Sequence, residues 1–231
     1  MKLVDEKFKD MSAKQKLSYI WYYYKVPIVL LFVLMFIVTD FIHGRLTAKP
    51  TVFRLAMIGS NATELMEDTL MDGFYHYCPG FDPDKEQMIL DAGFDLNDPG
   101  IGAYTAGTKL LAEYGAGNID ATIADKADIT FLAESQAFAD LTEILPEDLM
   151  TEIRSSSTEI LYNKYEDPAT GEVHEYPFAV NISGSRAIKQ GFTESTGENK
   201  SYYNEDCYCA ISPNSDNPEN SIEFLRYLIS E

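Results

Sequence analysis

The sequence predicts an α/β protein: one membrane-spanning helix near the N-terminus, followed by a three-layer α/β sandwich. Three observations lead there. An unbroken apolar run, residues 26–38 (VPIVLLFVLMFIV), lies between aromatic and polar flanks. Behind it, short β-branched runs alternate with segments whose apolar residues recur at helical spacing. Charge divides the chain at the same place. Residues 1–49 hold eight Lys/Arg against four Asp/Glu and residues 50–231 hold ten against 33, so the two parts carry +4 and −23. Such a split reports different surroundings for two parts of one chain.

A bilayer core takes ~20 residues of helix, and the flanks extend the apolar run to that length. Residues 19–24 (YIWYYY) are of the kind that settle at a membrane–water boundary. Residues 39–43 (TDFIH) finish the helix, with Asp40 at headgroup level. Pro27 falls near the start of the apolar run, where proline is tolerated better than mid-helix. The expected organisation is a cytoplasmic tail over 1–20, a transmembrane helix over 21–43, a linker over 44–50 and an extracellular domain over 51–231. Lys2, Lys7, Lys9, Lys14, Lys16 and Lys25 precede the apolar run, and only Arg45 and Lys49 follow it closely, which places the N-terminus inside. Residues 1–18 read as a short amphipathic helix, with Ser12 and Gln15 in capping-box spacing. A 13-residue apolar core also suits a cleaved signal peptide. However, about 25 residues precede it, longer than the usual charged leader, and residues 46–49 (LTAK) make a poor cleavage site. The reading adopted is an uncleaved signal-anchor.

In the outer domain, Thr51–Ile58 reads as a first strand, rich in β-branched and apolar residues. Asn61 can cap a helix over 62–77, ended by Pro79-Gly80. Residues 87–91 form a second strand and 92–102 a loop. A helix over 104–114 stops at Gly115-Ala116-Gly117, a buried-type strand occupies 121–124, and a helix runs over 125–134. Residues 138–141 are extended, 146–162 helical with Pro146 in its first turn. Residues 165–173 carry a hairpin signal leading into an extended run over 174–182. Residues 192–202 read as polar loop, 206–211 as a strand and 217–230 as a terminal helix. No internal repeat is present, and the alternation implies a largely parallel sheet.

The charge of the outer domain excludes nucleic acid, whose phosphates need Lys/Arg clusters, and leaves calcium, cationic ligands and basic partners open. Of His43, His76 and His174, only the last adjoins a carboxylate, Glu175, and no second His stands at zinc spacing. Gly93, Gly100, Gly102 and Gly107 are too dispersed for a phosphate loop. Asp95, Asn97 and Asp98 resemble a fragment of a calcium loop without its closing Glu; turn and cap duty explains them. Cys78, Cys207 and Cys209 permit a disulfide outside the cell or three buried thiols, and Cys207-Tyr208-Cys209 puts two thiols on one face of a strand. Tyr202-Tyr203 and Tyr162/Tyr165 suit either a ligand surface or the core. No catalytic, cofactor-binding or metal constellation emerges, and no ligand-binding residue can be named.

Three stretches carry a family resemblance: residues 109–113 (KLLAE) through 117–124 (GNIDATIA) and 131–142 (FLAESQAFADLT); 171–177 (GEVHEYP); and 211–215 (ISPNS) through 220–228 (NSIEFLRYL). In this order they resemble the extracellular solute-binding proteins of bacterial ABC importers, with the type 2 periplasmic-binding fold, over about half of the outer region. The resemblance implies a two-lobed binder with ligand in the cleft between lobes. Here only about 30 residues separate Pro177 from Ile211, where a second lobe needs about a hundred. A helix replaces that family's lipoprotein Cys. The resemblance therefore implies a single lobe fixed to the membrane: a non-enzymatic binding domain acting with a protein partner in an envelope or transport assembly, or alternatively a functional solute-binding component. N-terminal sequencing of the membrane-extracted protein should find residues upstream of the apolar run; a start near Lys49 would mean the helix is removed.

Overall fold

Residues Ala13–Thr47 form one continuous helix, α1. The computed structural model describes residues 12–47, 49–78, 80–97, 101–166, 171–192 and 197–230. Ser12 caps α1 as the sequence predicts: its amide donates to Gln15 Oε1 at 3.0 Å and its Oγ accepts the Gln15 amide at 3.5 Å. At ~1.5 Å per residue the helix outruns a bilayer core. Two expectations change. The expected tail is continuous with the span from Ala13 onward, and the part over residues 1–11 lies outside the described residues, as do Lys2, Lys7 and Lys9. Pro27 is interior to the helix, not at its start. It has no N–H to give the carbonyl four residues earlier, yet the helix runs on, because a long apolar segment satisfies every other backbone group internally. Tyr24–Phe41 is long and apolar enough to cross a membrane, with mean hydropathy 2.0 and none of its residues buried.

The chain divides into two units, Met1–Lys49 and Pro50–Glu231. The second runs β1 (Thr51–Ile58), α2 (Glu64–Tyr77), β2 (Gln87–Phe94), α3 (Ile101–Gly115), β3 (Ala121–Asp125), α4 (Lys126–Glu134), α5 (Leu141–Ile144), α6 (Glu147–Ser155), β4 (Ile160–Glu166), β5 (Val173–Asn181), α7 (Arg186–Lys189), β6 (Gly191–Phe192), β7 (Asn199–Lys200), β8 (Cys207–Ile211) and α8 (Pro218–Ser230). Six strands form one sheet in the order β2-β1-β3-β8-β5-β4, and β6 pairs with β7 apart from it.

The sheet is mixed, not largely parallel. β1 pairs in parallel with β2 and β3, whereas β3–β8, β8–β5 and β5–β4 are antiparallel. Alternation along each strand feeds two apolar layers. Phe53, Leu55 and Met57 of β1, Ala121 and Ile123 of β3, and Cys207, Cys209 and Ile211 of β8 face one layer, covered by α2, α6 and α8. Ala56, Ile58, Ala124, Tyr208 and Ala210 face the other, covered by α3 and α4. Apolar residues on both faces are the mark of a sheet covered twice, so the outer unit is a three-layer α/β sandwich.

The first layer is built on an aromatic cluster. The Phe224 ring lies 5.0 Å from both Phe53 and Phe74, and none of the three is exposed. Two tyrosines act as pillars: Tyr202 OH donates to Met66 O, and Tyr203 OH to Ile123 O at 2.8 Å. In the second layer Phe138 stacks on Phe178 and meets Tyr114 edge-on.

Several boundaries move for identifiable reasons. α2 begins at Glu64 after Thr63, so Asn61 does not cap it; the Asn61 amide is held by Tyr202 O at 2.8 Å. β2 continues to Phe94 because its pairing with β1 reaches Ile58. α3 ends at Gly115, and the chain turns away at Gly117, whose φ of +71° disfavours other residues and where a Cβ would meet Asn214 O at 2.8 Å. The helix expected over 146–162 is only Glu147–Ser155, and Ile160–Glu166 is a strand. Within the expected loop over 192–202, β6 and β7 pair and Tyr202 is fully buried. The hairpin joins β4 to β5 with Glu166 opposite Val173; its turn, 167–170, lies outside the described residues. Truncating Phe224 to Ala should lower unfolding free energy by ~3–5 kcal/mol, measured by chemical denaturation of the full chain in detergent micelles.

Candidate functional site

β1, β2, β3 and β5 end along one edge of the sheet, at Ile58, Phe94, Asp125 and Asn181, and β8 and β4 begin there. In open α/β sheets, ligands bind at the carboxyl ends of the strands. Two polar groups occupy this edge.

The first lies at the ends of β2 and β3. Asp125 caps α4, its Oδ1 accepting the Asp128 amide at 2.8 Å. Asp95 Oδ1 accepts the Asn97 amide at 2.8 Å, and Asn97 Nδ2 donates to Asp128 Oδ2 at 3.4 Å. Asp128 is buried, 6% exposed. Burial, then the nearby Asp125 and Asp95 charges, push its carboxyl from 3.8 up to about 6. Among the described residues no group of three His, Cys, Asp or Glu is placed to hold a metal ion. Asp95 and Asn97 serve a turn and a bridge to Asp128, and Asp98 lies outside the described residues.

The second group is a cleft of about 580 Å³ at the end of β5. Its walls are the α6–β4 turn (Ser156, Ser157, Thr158, Glu159), the last residue of β5 with the segment that follows (Asn181, Ile182, Gly184, Ser185) and the end of α8 (Leu228, Ile229, Ser230). Glu159 is fixed from outside the cleft: Lys126 Nζ donates to Oε1 and Tyr208 OH to Oε2, both at 2.7 Å. The Lys126 and Tyr208 hydrogen bonds hold its carboxyl below the ordinary range. Asn181 Oδ1 accepts the Ser183 amide at 2.9 Å, which turns the chain after β5. Ser157 has φ +57°, a left-handed conformation uncommon outside glycine.

Most of the side chains singled out in the sequence lie elsewhere. His174 and Glu175, adjacent in sequence, point to opposite faces of β5: His174 Nε2 lies 4.0 Å from Glu172, and Glu175 Oε1 lies 3.8 Å from Lys164. His76 Nδ1 lies 2.7 Å from Asp72 O in the last turn of α2. Gly102 and Gly107 are inside α3, Gly93 is in β2, and Gly100 lies outside the described residues. Cys78, Cys207 and Cys209 are free thiols. Burial pushes Cys207 up to about 12 and Cys209 higher still, so neither is a thiolate near neutrality. Tyr202 and Tyr203 belong to the core, whereas Tyr162 and Tyr165 are exposed on the edge strand β4.

The cleft residues were not singled out, because residues 146–162 read as one helix. One signal was present: residues 155–158 (SSST) form a hydroxyl run of the sort that competes with helical hydrogen bonding. No protein-family model, no curated protein and no solved structure matches this chain.

The raised Asp128 carboxyl has a stability consequence. Its folded pKa exceeds the unfolded value, so the folded state binds more protons, and stability rises as pH falls through about 6 toward 3.8. Above that window the ionised carboxylate destabilises the fold. Asp128→Asn keeps an acceptor for Asn97 and removes the charge. It should melt above wild type at pH 7.5, with the difference vanishing near pH 4; a difference constant over that range would show that the carboxylate ionises without penalty.

Proposed function

We propose that this chain is a single-pass membrane protein whose α/β unit stands outside the cell as a non-enzymatic binding domain. It resembles one lobe of a solute-binding protein and engages a protein partner in an envelope or transport assembly. The carrying observation is α1: Tyr24–Phe41 has no buried residue, and Phe32, Met35, Phe36 and Phe41 are each more than 60% exposed. So large an apolar surface in water is strongly unfavourable, and lipid is the natural cover. Lys14 and Lys16 precede the window and Lys25 is its second residue, which supports an inside N-terminus.

Binding is favoured over catalysis by what the polar groups do. Cys207 and Cys209 are held as thiols inside the core, His76 and His174 sit on separate elements, and the carboxylates at the sheet edge cap, bridge or pair. The outer half of the β4–β5 hairpin offers an exposed surface for a partner, with Tyr162, Tyr165 and Val173 open to solvent. One observation favours the alternative, a solute-binding component: the polar cleft at the end of β5. The test is topological. The protein should stay in the membrane pellet after alkaline carbonate, and protease added to intact spheroplasts should remove the domain over 50–231. Release by carbonate or protection from protease would refute the reading.

A further inference from the structure

We infer that the cleft between the α6–β4 turn, the segment after β5 and the end of α8 binds a small organic ammonium compound, one with a carbon chain and a protonated amine. The inference goes beyond tethering and holds whichever side of a membrane the domain faces.

The hydrogen-bond inventory gives the class. Ser156 Oγ donates to Ile153 O at 2.8 Å, so the 2.6 Å contact with Thr158 is a donation from Thr158 Oγ1 to Ser156. Ser230 Oγ donates to Tyr227 O at 3.1 Å. Three hydroxyls on the cleft wall have thus committed their protons inward and present lone pairs to a ligand. Glu159 adds a carboxylate that is ion-paired with Lys126 at 2.7 Å and also accepts from Tyr208 OH and the Asn181 side chain, with lone-pair capacity left for a further donor. The wall is rich in acceptors, and an ammonium is a group with three donors and no acceptor.

Electrostatics point the same way. α6 and α8 both end at this cleft, and a helix C-terminus carries partial negative charge and carbonyls without intrahelical partners. Residues 50–231 carry −23, which raises the local concentration of cations. Ile182, Leu228 and Ile229 supply an apolar part of the wall for a carbon chain.

Ser185 supplies a polar group that a ligand could engage. It lines the cleft, is 6% exposed, and its Oγ is the one buried polar side-chain atom among the described residues without a hydrogen-bond partner. It precedes α7 without capping it. A buried hydroxyl left unpaired is unfavourable by ~1–3 kcal/mol, and a ligand that engages it recovers that loss.

The test compares three probes with the same four-carbon chain, n-butylammonium, n-butanol and butyrate, against the full-length chain in detergent micelles at pH 7.5 and constant ionic strength. Thermal shift follows ligand mass action. Butylammonium should raise the melting temperature saturably, with apparent affinity at least about tenfold above that of the other two, matching one charge-assisted hydrogen bond. Ser185→Ala should fold, melt at or above wild type without probe because the orphan hydroxyl is gone, and bind butylammonium about fivefold more weakly. Thr158→Val, which breaks the hydroxyl chain in the wall, should also weaken binding. No saturable shift with butylammonium, equal shifts with the three probes, or undiminished binding by Ser185→Ala would each overturn the proposal.

Discussion

Ala121–Asp125 and Cys207–Ile211 pair antiparallel along their whole length, and the rest of the domain is arranged around that ladder. The parallel strands β1 and β2 extend from one side of it, and β5 and β4 from the other. Both central strands are buried, so their amides have no water as an alternative partner and a one-residue slip would turn core residues over. Asp120 holds the lower end. Its carboxylate accepts the Arg54 amide at 2.7 Å and the Ser215 hydroxyl at 2.6 Å, and its carbonyl accepts the Ser212 amide at 3.0 Å. Burial pushes its carboxyl up while these donors pull it back. One side chain, 3% exposed, thereby ties β1 to the segment that follows β8.

Covering the sheet on both faces has a consequence for function. Both faces of the central strands are taken up by side-chain packing, so polar groups collect along the strand ends. At the ends of β2 and β3 they satisfy one another through Asp125, Asp128, Asn97 and Asp95. At the end of β5 they do not close up. The chain there is a break between α6 and β4, a turn after β5, and the last turn of α8; the first two meet where the Asn181 amide donates to Glu159 O at 2.9 Å. Lys126 and Tyr208 fix Glu159 from one side, and the space on the other side stays open.

α1 obeys different rules. In the sandwich, helices are stable because one stripe is buried; α1 exposes Trp21, Val29, Leu30, Leu31, Phe32 and Phe36 around its circumference. By length and composition a helix of that kind is able to cross a hydrocarbon core. Pro27 lies inside it, where a helix of this length loses one hydrogen bond and keeps the rest.

Features of short range were legible in the residues alone. The extent of β1, the β4–β5 hairpin, the Ser12 cap and the apolar span depend on neighbours a few positions apart, and the α/β class follows from their alternation. Pairing across the chain was not legible. β8 lies antiparallel beside β3 because the chain returns from α7 and the Tyr202–Tyr203 pillars at the opposite end, and nothing within CYCAI encodes that direction. Ile160–Tyr162 has apolar residues that serve a helix or a strand equally well, and only pairing with β5 made it a strand. The cleft followed from that same decision. Once Ile160 joined the sheet, residues 156–159 had to turn out of α6, and that turn brought Glu159 and the Ser156–Thr158 hydroxyls up to Ser185 and the end of α8. Sequence set the local conformations because they rest on neighbouring residues; tertiary structure set the site because its walls come from segments that only a completed sheet brings together.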